Sequence, residues 1–151
     1  MEAVLLCGIQ ASGKSTFYVT RFFDTHVRIS QDLLRTRYRV SRLLELCLDT
    51  HQPFVVDRVN ATPADRAQFV VPAQKAGFRL VGYWLDTHPR DAISRNERRS
   101  APARVPIPAI LGTHKRLVAP APEEGFDEIF RVTPDGAGGF TIEPAPPSES
   151  P

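Results

Sequence analysis

Residues 8–16, Gly-Ile-Gln-Ala-Ser-Gly-Lys-Ser-Thr, decide the fold of this chain, because they spell the phosphate-binding pattern G-x-x-x-x-G-K-S. The apolar run 3–7 before them predicts a buried parallel strand, and residues 15–23 after them can continue as a helix. A strand, a glycine loop and a helix start, in that order, are the setting in which this pattern binds phosphate. A chance glycine turn is the alternative, and the flanking elements make it the weaker interpretation.

The residue types of this loop suit both a phosphate and a metal ion. Gly8 and Gly13 let the backbone approach an anion closely, and N–H groups at the helix start then face it. Lys14 supplies a positive charge for the β- and γ-phosphates, and the Ser15 hydroxyl is a hard oxygen ligand for Mg²⁺. We therefore expect Mg²⁺ and ATP, or another NTP, to bind here. The residues assigned to the nucleotide in this loop are Gly8, Ser12, Gly13, Lys14, Ser15 and Thr16.

Composition predicts an ordinary globular domain. Of the 151 residues, 42% are hydrophobic and 24% are charged. No stretch approaches the roughly 18 apolar residues of a membrane span, and no signal peptide precedes the first strand. We therefore expect a cytoplasmic protein with no membrane partner, and the oligomeric state stays open. Cys7 and Cys47 lack metal-ligand spacing and are interpreted as buried apolar residues, with a disulfide or a reactive thiol as the alternative.

Charge is spread unevenly along the chain. Residues 1–119 carry 18 Lys and Arg against 10 Asp and Glu, whereas residues 120–151 carry one against seven. A basic body with an acidic end suits a phosphate-rich partner, and a solvated surface explains the same distribution.

Strands alternate with helices, which predicts an α/β fold of the P-loop kinase type: a central parallel sheet with helices on both faces. The predicted strands are residues 3–7, 26–30, 54–57 and 78–85. Residues 126–133 and 139–143 follow as a hairpin or as a strand with a trailing segment. The predicted helices are 15–23, 31–50, 62–75, 86–99 and 107–118. We expect one domain over residues 1–143, with a lid around 95–118, and a disordered Pro/Ser-rich tail over 144–151.

Two carboxylates follow the ends of predicted strands, Asp32 after the second and Asp57 at the end of the third. Ligands of such sheets lie beyond the carboxyl ends of the strands, so both should converge on the loop at 8–16. We assign Asp57, with Ser15, to the metal. A kinase needs a carboxylate to orient the attacking hydroxyl and accept its proton, and Asp32 is our candidate for that general base. The alternative is that Asp32 only caps its helix or faces the helix dipole.

Arginines supply two further groups of candidate residues. Arg35 lies one helical turn after Asp32 and can hold an anionic group of the acceptor, and the predicted helix 31–50 places Arg39 and Arg42 on the same face. The arginine-rich stretch 95–99, with a proline-rich loop after it, suits a lid that neutralises charge on a transferring phosphoryl group. The alternatives are a solvated helix face for the first group and pairing with Glu97 for the second.

Taken together, these motifs resemble the kinase domain of 5′-hydroxyl polynucleotide kinases, both the phage type and that of animal DNA-repair kinase-phosphatases. The resemblance covers about residues 4–132. It rests on the stretches 8–16, 29–35, 55–63, 95–99, 105–108 and 122–126.

The resemblance implies roles for individual residues. Lys14 and Ser15 would hold the phosphates and the metal, Asp32 would be the general base, and Arg35 would contact a phosphate of the acceptor. The lid arginine Arg99 would contact the donor phosphates. Arg95 would lie close to it.

The acceptor side departs from the family pattern at two places. The family usually has Asn before the base and Asp-Asn-Thr-Asn after the third strand, whereas this chain has Gln31 and, over 57–60, Asp-Arg-Val-Asn. We assign acceptor binding to Arg35, Arg39, Arg58 and Asn60. The leading prediction is an NTP-dependent kinase of the 5′-OH end of RNA or DNA. The alternatives are a kinase of a sugar, nucleoside or antibiotic, and a non-catalytic nucleotide-binding protein.

Overall fold

The apolar runs of the sequence form one six-stranded sheet in a computed structural model, which describes residues 1–146. The strands are β1 (Glu2–Cys7), β2 (Val27–Ser30), β3 (Phe54–Asp57), β4 (Arg79–Leu85), β5 (Glu128–Pro134) and β6 (Phe140–Pro144). Their order across the sheet is β2-β3-β1-β4-β5-β6. The first five are mutually parallel, and β6 runs antiparallel to β5. The predicted hairpin is therefore confirmed as the β5–β6 pair.

Within residues 1–146, six α-helices connect and cover these strands. They are α1 (Lys14–Arg21), α2 (Gln31–Leu34), α3 (Arg37–Thr50), α4 (Pro63–Lys75), α5 (Pro89–Glu97) and α6 (Ile107–Arg116). Among residues 1–146, no helix combines the length and the apolar character that crossing a membrane requires.

The strand β1 is buried on both faces and separates two hydrophobic cores. Ala3 and Leu5 pack with side chains of α3 and α4 on one face. Val4 and Leu6 pack with Phe17 and other side chains of α1 on the opposite face. This arrangement confirms the predicted α/β fold with a largely parallel central sheet and helices on both faces.

Capping residues fix where two of the helices begin. Ser30 accepts a hydrogen bond from the backbone N–H of Leu33 at the start of α2. Thr62 accepts one from the N–H of Asp65 at the start of α4, whose first residue is Pro63. Both caps follow a strand, so they set the direction in which the chain leaves the carboxyl edge of the sheet.

The prediction of one continuous helix over residues 31–50 is wrong. The backbone of Arg35 has a φ of 72°, which lies in the left-handed region and ends α2. Thr36 then caps α3 by accepting a hydrogen bond from the N–H of Arg39. Because two helices replace one, Arg35 does not share a continuous helical face with Arg39 and Arg42.

The C-terminal boundary differs slightly from the predicted one. The strand β6 continues to Pro144, which pairs with Phe130, and the N–H of Ala145 donates to the carbonyl oxygen of Ile129 at 2.9 Å. Residues 144–145 therefore belong to the sheet rather than to a tail. Pro146 follows outside any helix or strand, and residues 147–151 of the predicted tail lie outside the described residues.

Candidate active site

The phosphate-binding loop connects β1 to α1, and hydrogen bonds to backbone carbonyl oxygens hold it in place. The Lys14 ammonium donates to the carbonyl oxygens of Gly8 and Ile9, both at 2.9 Å. The N–H of Gly8 donates to the carbonyl oxygen of Val59 at 3.1 Å, which ties the loop to the segment after β3. The loop is thus a preformed turn whose lysine folds back over it.

Two glycines are required by the shape of this loop. A Cβ atom at Gly8 would lie 2.7 Å from the Ser12 Oγ, and Gly13 has a φ of 97°. The Ser12 hydroxyl is buried and has no hydrogen-bond partner in the part of the chain that the structure describes. Since an unpaired buried hydroxyl costs stability, this fits a loop that completes its hydrogen bonds with a ligand.

Burial lowers the pKa of Lys14 to about 8, whereas the negative charge of Asp57 opposes that shift. Smaller contributions come from Arg99, which lowers the pKa, and from Asp32, which raises it. Both side chains are therefore close enough for their charges to act on the lysine. A phosphate bound by the loop would stabilise the ammonium form and raise the pKa again.

Ser15 and Asp57 form the oxygen pair that fits Mg²⁺. The Ser15 hydroxyl donates to Asp57 Oδ2 at 3.0 Å, and the Asp57 side chain is only 4% exposed. A hydroxyl and a carboxylate are hard oxygen ligands of the kind that Mg²⁺ prefers. Residues 1–146 contain no other cluster of three or more His, Cys, Asp or Glu side chains that would form a separate metal site.

Sequence reasoning missed Arg28, which contacts both members of this pair. Its Nε and Nη2 each lie 2.8 Å from Asp57 Oδ2, and Nη2 also donates to the Ser15 Oγ at 2.9 Å. The alternation of polar and apolar residues in β2 placed Arg28 on the face opposite Val27 and Ile29. The register with β3, in which Arg28 pairs with Val55, brings its long side chain to Asp57.

Asp32 and Arg35 lie at opposite ends of α2, just beyond the carboxyl end of β2, and both are exposed. The cap of this helix is Ser30, so the alternative in which Asp32 serves as the cap is wrong. Asp32 occupies the first turn, where a carboxylate also favours the helix dipole. Because β1, β2 and β3 are parallel, Asp32 after β2 and the phosphate-binding loop after β1 lie at the same edge of the sheet.

The remaining acceptor-side predictions have different outcomes. Arg39 is exposed, and its guanidinium donates to the carbonyl oxygen of Leu34 at 3.2 Å. Arg58 is half-buried with its guanidinium 5.4 Å from the centre of the Phe69 ring, and burial lowers its pKa. Asp32 and Arg37 also act on the pKa of Arg58, in opposite directions. Arg39 and Arg58 thus stay predictions for acceptor binding.

Asn60 is buried against β1 rather than exposed beside Asp32, and its assignment to acceptor binding is corrected. Its side chain is 4% exposed and donates to the carbonyl oxygen of Leu6 at 2.7 Å. Its backbone, at a φ of 49°, accepts from the Cys7 thiol and from the buried guanidinium of Arg66. Asn60 therefore holds the loop after β3 against β1, which fixes Asp57 rather than the acceptor.

The segment predicted as a lid, around residues 95–118, contains the end of α5, the turn after it and α6, and it packs with the rest of α5 on the phosphate-binding loop. Ile9 and Ala11 of the loop form a small hydrophobic core with Ala92 and Ile110. The side chain of Gln10 donates to Thr113 at 2.9 Å. Within the lid, the Asn96 side chain exchanges two hydrogen bonds with the backbone of Val105. The phosphate-binding loop and this segment are therefore in direct contact.

A polar cleft of about 240 Å³ lies between the loop, the lid and the β5–β6 hairpin. It is lined by Ala11, Gly13, Thr16, Arg95, Arg99, Gly138 and Phe140. A Cβ at Gly13 would lie 2.8 Å from Arg95 Nη1, so this guanidinium lies directly over the loop. Among the described residues, neither Arg98 nor Arg99 forms an ion pair with Glu97. The structure therefore brings Arg95 and Arg99 to the phosphate-binding loop, as predicted.

The hairpin side of this cleft was not predicted. Phe140 begins β6, and its ring packs edge-on against Phe17 of α1 at 5.4 Å between centroids. The hairpin loop is ordered by Asp135, whose carboxylate accepts from the N–H groups of Ala137 and Gly139. These donors lower the pKa of Asp135. The sequence showed a turn here, but nothing in it indicated that the turn returns to the phosphate-binding loop.

Comparison with known proteins identifies a family and a set of structures with the same fold. A family model described as an AAA domain (AAA_33) matches residues 4–121. Among curated protein sequences, none matches the chain.

Three solved structures are similar over most of the chain. Kti12 from Chaetomium thermophilum, in complex with ADP-AlF3, has 17% identity and a TM-score of 0.67 over 88% of this chain and 89% of that protein. The gluconokinase from Sinorhizobium meliloti 1021 has 15% identity and a TM-score of 0.61 over 87% and 82%. The APS kinase CysC from Mycobacterium tuberculosis, in complex with AMPPNP and APS, has 18% identity and a TM-score of 0.59 over 89% and 88%. At these identities the likeness shows a shared P-loop kinase-like fold.

Proposed function

Because this chain belongs to the AAA_33 family of AAA domains, we propose that it is an NTP-dependent kinase that transfers the γ-phosphate to a hydroxyl. The acceptor proposed first is the 5′-OH end of RNA or DNA. The observation that carries this proposal is the position of Asp32, an exposed carboxylate directly after β2, at the same edge of the parallel sheet as the phosphate-binding loop. A protein that only binds a nucleotide has no need of a carboxylate on the acceptor side.

The donor side supports nucleotide binding. Lys14 and the backbone N–H groups of the loop neutralise the β- and γ-phosphates, which they can approach because of the glycines at 8 and 13. Ser15 and Asp57 would hold Mg²⁺, which when bound draws charge from the transferring phosphoryl group. The Arg95 and Arg99 guanidinium groups line the adjacent cleft and add positive charge where the reaction develops negative charge.

The acceptor side supports transfer to a hydroxyl. In the proposed reaction, the acceptor oxygen forms a bond to the γ-phosphorus as the bond from that phosphorus to the β-phosphate oxygen breaks. Asp32 accepts the hydroxyl proton, and the NDP leaves. The lid excludes water, because Ile9 and Ala11 pack against Ala92 and Ile110 and keep it docked on the loop.

The preference for a polynucleotide rests on the arginines around Asp32. Arg35, Arg37 and Arg39 are all exposed within a few residues of it, and Arg58 lies near Arg37 and Asp32. A guanidinium recognises a phosphate by charge-assisted and often bidentate hydrogen bonds. The cluster therefore suits an acceptor with phosphates next to its hydroxyl end.

The second candidate is a kinase of a small molecule, such as a sugar, a nucleoside or an antibiotic. It is favoured by the two kinases of small molecules, a gluconokinase and an APS kinase, among the structures with this fold. Such an acceptor would still need Asp32, but it would leave most of the surrounding arginines without an anion to bind.

The experiment is a transfer assay with γ-labelled ATP, Mg²⁺ and matched acceptors. The acceptors are DNA and RNA oligomers with a 5′-OH, the same oligomers with a 5′-phosphate, a nucleoside 3′-monophosphate, the plain nucleoside and a panel of sugars. We expect label on the 5′-OH oligomers and the 3′-monophosphate, and none on the 5′-phosphorylated oligomers.

Each other outcome rejects part of the proposal. Label on sugars or plain nucleosides alone would replace the polynucleotide acceptor with the small-molecule one. ATP binding with no label on any acceptor, including a wider library of alcohols, would reject the kinase in favour of a nucleotide-binding protein.

A further inference from the structure

We propose that the Arg28 guanidinium is a built-in counter-cation of the metal site, which has to leave Ser15 before a divalent cation can bind there. The inference rests on the proposed function, because it concerns the same Ser15–Asp57 pair. It assigns to Arg28 a positioning role that controls when the metal enters.

The hydrogen bonds of the Ser15 hydroxyl carry the argument. A hydroxyl has one hydrogen to donate and two lone pairs to accept with. The hydrogen of Ser15 points to Asp57 Oδ2, and Arg28 Nη2 donates to the Ser15 oxygen at 2.9 Å. A cation bound to the same oxygen would lie within a few ångströms of the guanidinium, where two like charges repel strongly. The metal and the present position of Arg28 therefore exclude each other.

Burial explains why a counter-cation is needed. The Asp57 side chain is 4% exposed, and a buried carboxylate without a positive partner is strongly destabilising. Arg28 supplies that partner through both Nε and Nη2. Arg28 therefore occupies the place of the positive partner that a metal would supply.

The Arg28 side chain also has room to move away from Ser15. Its side chain is 29% exposed, so the guanidinium can turn toward water, and it already lies 5.9 Å from the centre of the Tyr18 ring. Exchange of Arg28 for a metal becomes favourable when a triphosphate brings its own negative charge and further metal ligands. The metal should therefore enter together with the nucleotide, and bind poorly to the protein alone.

The first test measures Mn²⁺ binding to the nucleotide-free protein by electron paramagnetic resonance. Arg28→Met should bind Mn²⁺ about tenfold more tightly than the wild type or better, because a nearby positive charge is gone. Adding Ser15→Ala to Arg28→Met should abolish the gain. The control is Arg79→Met, which removes the same charge at the opposite edge of the sheet and should leave the affinity unchanged. Equal or weaker Mn²⁺ binding by Arg28→Met would overturn the proposal.

The second test uses the wild-type chain and does not depend on how a variant folds. The side-chain Nε–H of Arg28 should give a resolved ¹H–¹⁵N signal, identified by its absence from Arg28→Lys, because a buried carboxylate holds it. Saturating Mg²⁺ and a non-hydrolysable ATP analogue should shift or broaden that signal as the guanidinium leaves. An unchanged signal, while backbone signals of residues 8–16 report that the ligand is bound, would show that Arg28 stays in place and would overturn the exchange.

The two proposals fail in different ways. A chain that transfers phosphate while the Arg28 signal stays unchanged would keep the kinase and reject the exchange. Tight Ser15-dependent Mn²⁺ binding by Arg28→Met, in a chain that phosphorylates no acceptor, would keep the exchange and reject the kinase.

Discussion

Two parts of the candidate site differ in how firmly the surrounding structure holds them. The donor half is the phosphate-binding loop, and the acceptor half is Asp32 with Arg35. The phosphate-binding loop is tied to β1, to the segment after β3 and to the lid, and its serine at position 12 is 1% exposed. Asp32 and Arg35 sit on a four-residue helix that ends in a left-handed residue, and both are exposed. Under the proposed function, this contrast means that the donor half fixes a chemistry common to many NTP-binding proteins, whereas the acceptor half sets the substrate.

The largest effect is expected from Lys14→Ala, which removes the charge that the donor half places against the phosphates. Transfer should fall by about 10³-fold, at the upper end for loss of one preorganised donor. Steady-state transfer of label from ATP measures this. The matched control is Lys75→Ala, an exposed lysine in the last turn of α4, which should behave like the wild type. Wild-type activity in Lys14→Ala would mean that the loop does not bind the reacting phosphates.

The lid offers a test with neighbouring arginines. Arg99→Ala should reduce transfer by about 10²-fold, because its guanidinium lines the donor cleft beside the loop. Arg98→Ala changes an adjacent exposed arginine that does not line the cleft, and it should have little effect on the same assay. If the two variants lose activity equally, lining the cleft gives Arg99 no special role, and its assignment to the donor phosphates is wrong.

The acceptor half should respond differently. Arg35→Ala should raise the KM for a nucleoside 3′-monophosphate by about tenfold, the scale of one charge-assisted hydrogen bond, and leave ATP affinity unchanged. The KM for the plain nucleoside should change less, because it offers Arg35 no anion. Arg42→Ala, an exposed arginine that pairs with Glu45 on α3, is the control. Equal changes on the two acceptors would remove the support for a polynucleotide.

The last effect is measured per pH unit and concerns the donor half alone. The pKa of Lys14 in the free protein is lowered to about 8 by burial, and a bound phosphate raises it. Below pH 8 the lysine is already charged, so ATP affinity should be flat there. Above pH 8 binding has to take up a proton, so affinity should fall by up to about tenfold per pH unit. Calorimetric titrations from pH 7 to 9.5 measure this slope, which Lys14→Ala should abolish; an equal slope in that variant would assign it to another group.

Sequence patterns predicted the donor half and the sheet because they depend on short-range rules. The apolar run at 54–57 is β3 to the residue, and Thr62 with Pro63 starts α4 as its cap chemistry requires. The loop pattern itself contains the strand, the glycines and the helix start. In these regions every local preference agrees with the fold.

The errors fall where a long-range contact decides the outcome. Arg35 adopts a left-handed backbone although it is not a glycine. In the sequence, the break between α2 and α3 is therefore indicated only by Thr36, whose side chain caps α3. Asn60 was assigned to the acceptor from its match to the family pattern after the third strand, but its side chain donates to the backbone of β1. Arg28 and Phe140 reach the site through strand register and a hairpin, which no local pattern reports.

The measurement that tests the central claim most directly is phosphate transfer by Asp32→Asn, with ATP affinity determined on the same preparation. The substitution keeps the shape of an exposed side chain but removes the group that accepts the proton. If Asp32 is the general base, transfer should fall by about 10²-fold or more, while ATP affinity and thermal unfolding stay at wild-type values. Wild-type transfer by Asp32→Asn would contradict the account, because Asp32 would then not be the general base on which the proposed kinase activity rests.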